Sequence, residues 1–308
     1  MRIAAMAAGA VGGYYGARLA AAGHDVFFIA RGAHLQAIRK NGLRIESVHG
    51  NLHLPKPNVT DDPKSVGPVD IVLFAVKLWD TETAAEQARP LIGPNTRLIT
   101  FQNGVDSVER IAPILGKEHT VCGVAAIASV IAAPGVIKHT STFAMIRFGH
   151  ADKHADPVLQ AFADAGKAAK LDIGISEDIE VDRWQKFIFL TAMSGATSAL
   201  RSPIGPIVAD PELRDFFRQL MEEALAVGRA KGVKLDQAVI DGRMDFVVNK
   251  VERGMKASMA HDLDRGNRIE LDWLSGKVRE FGRELGIPTP ASDTVWTVLK
   301  LHRMGTGK

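Results

Sequence analysis

Through the first 170 or so residues, short unbroken apolar runs alternate with stretches of helical period. The runs fall at 3–7, 26–29, 71–76 and 98–101. Continuous apolar character, without polar alternation, marks strands covered on both faces of a parallel sheet. Between them, 11–22, 81–91 and 105–115 are long enough for crossover helices and carry apolar residues on one face. Residues 121–131 and 136–148 read as further strands separated by the turn Pro134-Gly135. The pattern predicts an α/β Rossmann-type, doubly wound sheet. Beyond about residue 174 the period becomes helical, over 178–200, 211–231, 236–253, 271–285 and 290–303, which predicts an all-α second domain. Pro211 behind Asp210 marks one helix start, a first-turn proline after an acidic cap. The expected division is 1–175 and 176–308, in keeping with a length that exceeds one hydrophobic core.

Composition narrows the class. Hydrophobic residues at 46% and charged residues at 24% describe a chain that folds throughout. The net charge of +3 is small and the basic residues are interspersed with acidic ones, so nucleic acid is not an expected partner. Cys122 is the only cysteine, which excludes an internal disulfide and a thiolate metal cluster and fits a reducing cytoplasm. The opening Met1-Arg2 and small residues resemble a signal peptide only weakly, because Gly9 and the helical pattern after it interrupt any apolar core. No stretch reaches the roughly 18 apolar residues of a membrane span. His49 and His53 have a ligand-like spacing, but they flank Asn51 in a segment rich in turn residues, and a solvated hairpin without metal is the expectation.

The first predicted strand runs into Ala7-Ala8-Gly9-Ala10-Val11-Gly12-Gly13, a G-x-G-x-x-G turn with its first glycine replaced by Ala7. Gly9 would admit a pyrophosphate, Gly12 would let the helix pack on the strand, and the helix N-terminus, with Ala10 and Val11, would offer unpaired N–H groups. Ala7 implies either that the turn needs no positive φ at that position or that the turn is slightly strained. About twenty residues on, where an NAD-specific site carries an acid, this chain has Arg31. A guanidinium grips a 2′-phosphate in bidentate fashion, so NADP(H) is the expected cofactor.

In the helical half, Lys186 is embedded in the mostly apolar stretch 184–193 and shares a helix face with Leu190, Met193, Ser194 and Thr197. Burial there would suit it to proton donation, whereas a lysine at the helix edge would extend its head to water. Ser258 and Glu270 fall near the start of one of the last long helices, and each alone reads equally as a cap or a first-turn acid.

Taken in order, Gly9-Ala10-Val11-Gly12-Gly13, Ala30-Arg31-Gly32, Ala75-Val76-Lys77, Gln102-Asn103-Gly104, Pro134-Gly135, Trp184-Gln185-Lys186, Ser258-Met259 with Asp262-Leu263, and Glu270 with Asp272 resemble the ketopantoate reductase (2-dehydropantoate 2-reductase) family over the whole chain. The resemblance implies NADPH-dependent reduction of ketopantoate to pantoate, in pantothenate and coenzyme A biosynthesis. It implies Lys186 as general acid, Glu270 as the residue that orients it, Ser258 as a substrate ligand, Arg31 and Lys77 as NADPH contacts, and Asn103 where nicotinamide and substrate meet. Family members often carry asparagines one and two turns beyond the lysine, where this chain has Leu190 and Ser194. A pocket without those amides would take a different or more apolar 2-oxo acid. The alternatives are a dehydrogenase of another small acid and a non-catalytic NADP-sensing module. A homodimer through the helical half is compatible with the sequence.

Overall fold

The computed structural model describes residues 1–306, and these divide into two compact units, 1–102 with 106–179, and 103–105 with the described residues from 180 onward. In the first unit the strands are β1 (Arg2–Met6), β2 (Asp25–Ile29), β3 (Leu43–Ser47), β4 (Leu52–Leu54), β5 (Asn58–Thr60), β6 (Ile71–Phe74), β7 (Arg97–Thr100), β8 (Thr120–Ala133), β9 (Val136–Gly149) and β10 (Asp172–Ile175). The helices are α1 (Ala10–Ala21), α2 (Gly32–Asn41), α3 (Thr81–Ala88), α4 (Ser107–Leu115) and α5 (Pro157–Ala168).

One mixed sheet contains these strands in the order β4-β3-β9-β8-β7-β6-β1-β2-β5, with β10 paired to β9. The run β5-β2-β1-β6-β7-β8 is parallel throughout and has the doubly wound nucleotide-binding order. Departures from a simple wound sheet lie at β8 and β9, which pair antiparallel, and at the β3–β4 hairpin, which leaves the chain between α2 and β5 to pair with β9. The sheet therefore curls, and α1 touches β1, β2, β3, β4, β6, β8 and β9.

The one-sided apolar pattern expected of the first crossover helix is thus exceeded. Gly12, Gly13, Tyr14, Tyr15, Gly16, Ala17 and Leu19 are all buried. Alternate β1 residues feed two cores, Ile3 and Ala5 toward α1 and α5, Ala4 and Met6 toward α3 and α4. That two-sided burial explains the unbroken apolar runs. The segment containing His49 and His53 is indeed a hairpin, and each ring donates to its own backbone carbonyl, of Thr142 and Asn41 respectively.

Asp156 caps α5 by accepting from the N–H groups of Val158 at 2.9 Å and Leu159 at 3.4 Å. Its second oxygen accepts from Arg97 Nε at 2.5 Å and His150 Nε2 at 3.0 Å. Burial raises the Asp156 pKa, but these donors outweigh it and bring the carboxyl to about 2.

The second unit is helical: α6 (Ile179–Ala199), α7 (Ile204–Ala209), α8 (Pro211–Ala230), α9 (Ala238–Asn249), α10 (Ser258–Asp264), α11 (Ser275–Leu285) and α12 (Pro290–Leu299). Asp210 caps α8 through the N–H of Leu213 at 3.0 Å, with Pro211 in the first turn as expected. The core draws Trp184, Phe187 and Ile188 from α6, Phe217, Leu220 and Met221 from α8, and Val278 and Val295 from the last helices. No side chain of its own caps α12; the buried carboxylate of Glu223, on α8, accepts the N–H groups of Ala291 at 2.7 Å and Ser292 at 2.8 Å and the Ser292 hydroxyl at 2.7 Å.

Candidate active site

The parallel register lines up four strand ends. Met6 pairs with Ile29 on one side and Phe74 on the other, and Phe74 pairs with Thr100. Gly9 follows Met6 by three residues, Arg31 follows Ile29 by two, Lys77 follows Phe74 by three, and Asn103 follows Thr100 by three. Gly9, Arg31 and Lys77 therefore leave adjacent strands at the carboxyl edge of the sheet, where open α/β sheets take their ligands.

The turn fits a pyrophosphate. An added Cβ at Gly9 would meet nothing within 4 Å, so that face is open. One at Gly12 would collide with the Ala7 carbonyl oxygen, and Ala75 Cβ would stand 3.7 Å away. Gly9 keeps backbone accessible and Gly12 keeps helix and strand in contact. Ala7 is not among the positive-φ residues, so its side chain is compatible with the turn. The first turn of α1 carries no acidic residue and Gly9 supplies no side-chain cap, which leaves its N–H groups and the positive end of the helix for an anion.

Two side chains from distant elements brace this turn. His34 Nε2 donates to the Ala8 carbonyl at 3.0 Å while its Nδ1 accepts the Gly135 N–H at 3.0 Å. These partners require the neutral ring with its proton on Nε2, and burial lowers the His34 pKa against the raising effect of the Ala8 carbonyl. Ser129 donates to the Ala10 carbonyl at 3.1 Å.

Arg31 is the N-cap residue of α2, exposed, and its guanidinium donates to Gln87 on α3. A cation at a helix N-terminus opposes the dipole, a placement that favours an anionic ligand there. Lys77 is exposed, with its ammonium 5.5 Å from the centre of the Trp79 ring. The loop that carries it is held by Gln102, whose amide donates to the Val76 carbonyl at 3.1 Å and to Thr81 Oγ1 at 2.9 Å, with Thr100 donating to Gln102 Oε1 at 3.0 Å.

In the second unit, α6 is buried over most of its circumference, and Asp182, Gln185, Lys186, Phe189 and Leu190 form its half-buried strip. Ser194 and Thr197, on the helix face read from the sequence as the lysine's, are fully buried, and Thr197 Oγ1 donates to the Met193 carbonyl at 2.6 Å.

The expectation that Ser258 and Glu270 open one long helix is corrected. Ser258 is the exposed first residue of the seven-residue α10, whereas buried Glu270 is the N-cap of a 3-10 turn at Leu271–Trp273. Gly266, at φ +69°, ends α10, and Leu274, at φ −105° and ψ −102°, separates the 3-10 turn from α11. Ser258 is not a cap either, since Ala257 holds that position. Asn103 clusters with this second unit, as do Gly104 and Val105.

A doubly wound sheet with a phosphate-ready glycine turn, joined to a helical unit that presents a lysine on a half-buried strip, defines a Rossmann-type oxidoreductase. Comparison with known proteins makes the class specific. Residues 3–153 match the family model for ketopantoate reductase PanE/ApbA, and residues 178–303 match that for the ketopantoate reductase PanE/ApbA C terminal. The chain belongs to the ketopantoate reductase family. It is 30% identical to the uncharacterized oxidoreductase YkpB of Bacillus subtilis (strain 168), over 98% of this chain and 99% of that protein. It is also 30% identical to 2-dehydropantoate 2-reductase of Mesorhizobium japonicum, over 97% of each. Among solved structures, the PanE/ApbA family ketopantoate reductase from Ralstonia eutropha JMP134 superposes with a TM-score of 0.89 at 32% identity, covering 98% of both chains.

Proposed function

We propose that the protein is an NADPH-dependent reductase of a small 2-oxo acid, with the conversion of ketopantoate to pantoate, a step of pantothenate and coenzyme A biosynthesis, as its reference reaction. The observation that carries the cofactor assignment is the alignment of Gly9, Arg31 and Lys77 along the carboxyl edge of β1, β2 and β6. The turn Gly9, Ala10, Val11 and Gly12 would hold the pyrophosphate, while Arg31 and Lys77 would meet the 2′-phosphate side of the adenosine. When bound, NADPH supplies the hydride that passes to C2 of the acid.

The chain's own residues supply the rest. The Lys186 ammonium faces negative charge developing on the carbonyl oxygen and gives its proton to the resulting alkoxide, leaving a neutral amine that solvent reprotonates. Glu270 orients that ammonium, Ser258 hydrogen-bonds the acid, and Asn103 stands at the nicotinamide end. A cytoplasmic location agrees with the single cysteine.

A second reading concerns only the substrate. Leu190 lies on the same half-buried strip as Lys186, Ser194 is buried, and neither side chain carries an amide to offer the hydroxyl of ketopantoate. This favours a 2-oxo acid with a more apolar side chain.

The test is NADPH oxidation, followed by absorbance, with ketopantoate beside a panel of branched and linear 2-oxo acids. Preference for ketopantoate supports the reference reaction. Preference for another acid transfers the mechanism to that substrate. Binding of NADPH without turnover of any acid replaces the enzyme reading with that of an NADP-sensing module.

A further inference from the structure

Arg243 lies on the inward stripe of α9, three residues after buried Ile240 and four before buried Val247. Its guanidinium carbon sits 5.5 Å from the centre of the Phe189 ring. Phe189 belongs to the half-buried strip of α6, one turn beyond Lys186, so Arg243 covers part of the surface on which the lysine stands. Among the described residues no carboxylate pairs with Arg243. Its own helix has two acids nearby, but Asp241 is engaged by Arg218 at 2.9 Å and Asp245 by Asn249 at 2.8 Å and Lys250 at 3.6 Å. Burial alone lowers the Arg243 pKa, with no opposing charge to raise it.

A half-buried cation without an acidic partner costs desolvation energy that, among the described residues, only the Phe189 ring partly offsets. The ring beneath it fixes the guanidinium from one face by cation–π attraction and leaves its N–H edge able to take a planar, two-oxygen anion. A 2-oxo acid carries such a group on the carbon adjacent to its carbonyl. A guanidinium seated over the ring one turn beyond the lysine would suit the carboxylate of that short unit, and the ammonium its carbonyl oxygen. The loss of amides at Leu190 and Ser194 makes a carboxylate anchor from another element the more necessary.

We propose that Arg243 binds the carboxylate of the 2-oxo acid and so sets the enzyme's preference for acids over their neutral analogues. This rests on the reading of Lys186 as part of a 2-oxo acid reductase.

The experiment compares the full-length protein with Arg243→Met and Arg243→Lys, using NADPH with whichever acid of the panel is reduced fastest and with its methyl ester. The expected result for Arg243→Met is a KM for the acid raised about 10- to 100-fold, the loss of one charge-assisted pair. The kcat, melting temperature, NADPH affinity and KM for the ester should stay near wild-type values, and Arg243→Lys should recover part of the loss. Because Arg243→Lys keeps the charge but not the fork, it also answers the question if the methionine variant folds poorly. An unchanged KM for the acid overturns the proposal, as does an equal loss for acid and ester. Weakened NADPH binding overturns it as well, by making Arg243 a cofactor ligand. If the wild-type protein reduces no acid, the functional reading fails first and this one with it.

Discussion

Gly12 stands so close to the Ala7 carbonyl oxygen that no Cβ fits between them, whereas Gly9, three residues earlier, faces open space. The two glycines of one turn therefore fail differently. Gly12→Ala should destabilise the first unit by about 1–3 kcal/mol through overpacking. Gly9→Ala should leave the melting temperature within a degree or two and weaken NADPH binding at least tenfold, about 1.4 kcal/mol. Thermal melts and fluorescence titration of NADPH separate the effects, and equal melting temperatures for the two variants would refute the division of roles.

Arg31 offers the 2′-phosphate a guanidinium from the N-cap of α2. Arg31→Ala should raise KM for NADPH about 10- to 100-fold, the range of a lost charge-assisted hydrogen bond, and leave KM for NADH nearly unchanged. Parallel loss with both cofactors would show that Arg31 does not read the phosphate.

Lys186→Ala should lower kcat by about 10²- to 10⁴-fold, the usual contribution of a positioned acid, with NADPH affinity retained. Single-turnover measurements that found hydride transfer undiminished would remove Lys186 from the chemistry.

Neutral His34 bridges Ala8 and Gly135, and its pKa is held below the ordinary value. The unfolded chain then takes up a proton near pH 6.5 that the folded chain resists. Stability from this site is complete above about pH 6.5 and declines as pH falls toward the lower folded pKa. His34→Gln should flatten the fall in melting temperature between about pH 7.5 and 5.5 relative to wild type; superimposable profiles would exclude His34 as the cause.

The Arg97–Asp156 pair is buried on the acid's side, at 2% exposure, and also caps α5. Asp156→Ala strands Arg97 and His150 and should cost about 3–5 kcal/mol, read by urea denaturation. Since the folded carboxyl titrates near 2, its contribution persists above about pH 4 and is lost as pH falls toward 2.

The parts legible in the sequence are those whose pattern is set locally. Two-sided burial makes β1, β6 and β7 unbroken apolar runs, and Asp210-Pro211 announces α8. The three-residue strands β4 and β5 are too short for alternation to register, and β3 leaves its neighbours in sequence to pair with β9. Gly9 stood out from the glycine turn after the first strand and Arg31 from its spacing past it, whereas Lys77 followed only from the family resemblance. The braces His34, Ser129 and Gln102 were not legible, since their partners are carbonyls, N–H groups or hydroxyls brought near by the tertiary fold, up to 119 positions away. Glu270 and Ser258 were assigned to one helix because the break at Gly266 and Leu274 depends on dihedral angles that side-chain periodicity does not encode.

The carboxylate of Glu223 finds its donors at residues 291 and 292. During synthesis, α8 is complete some sixty residues before those groups exist, and until then a carboxylate destined for the interior has only Gln219 of its own helix, at 3.5 Å, and water to satisfy it. The helical unit consequently lacks the main partners of this buried carboxylate until α12 has been made, and a chain without α12 would leave Glu223 in the core with Gln219 as its one side-chain donor among the described residues.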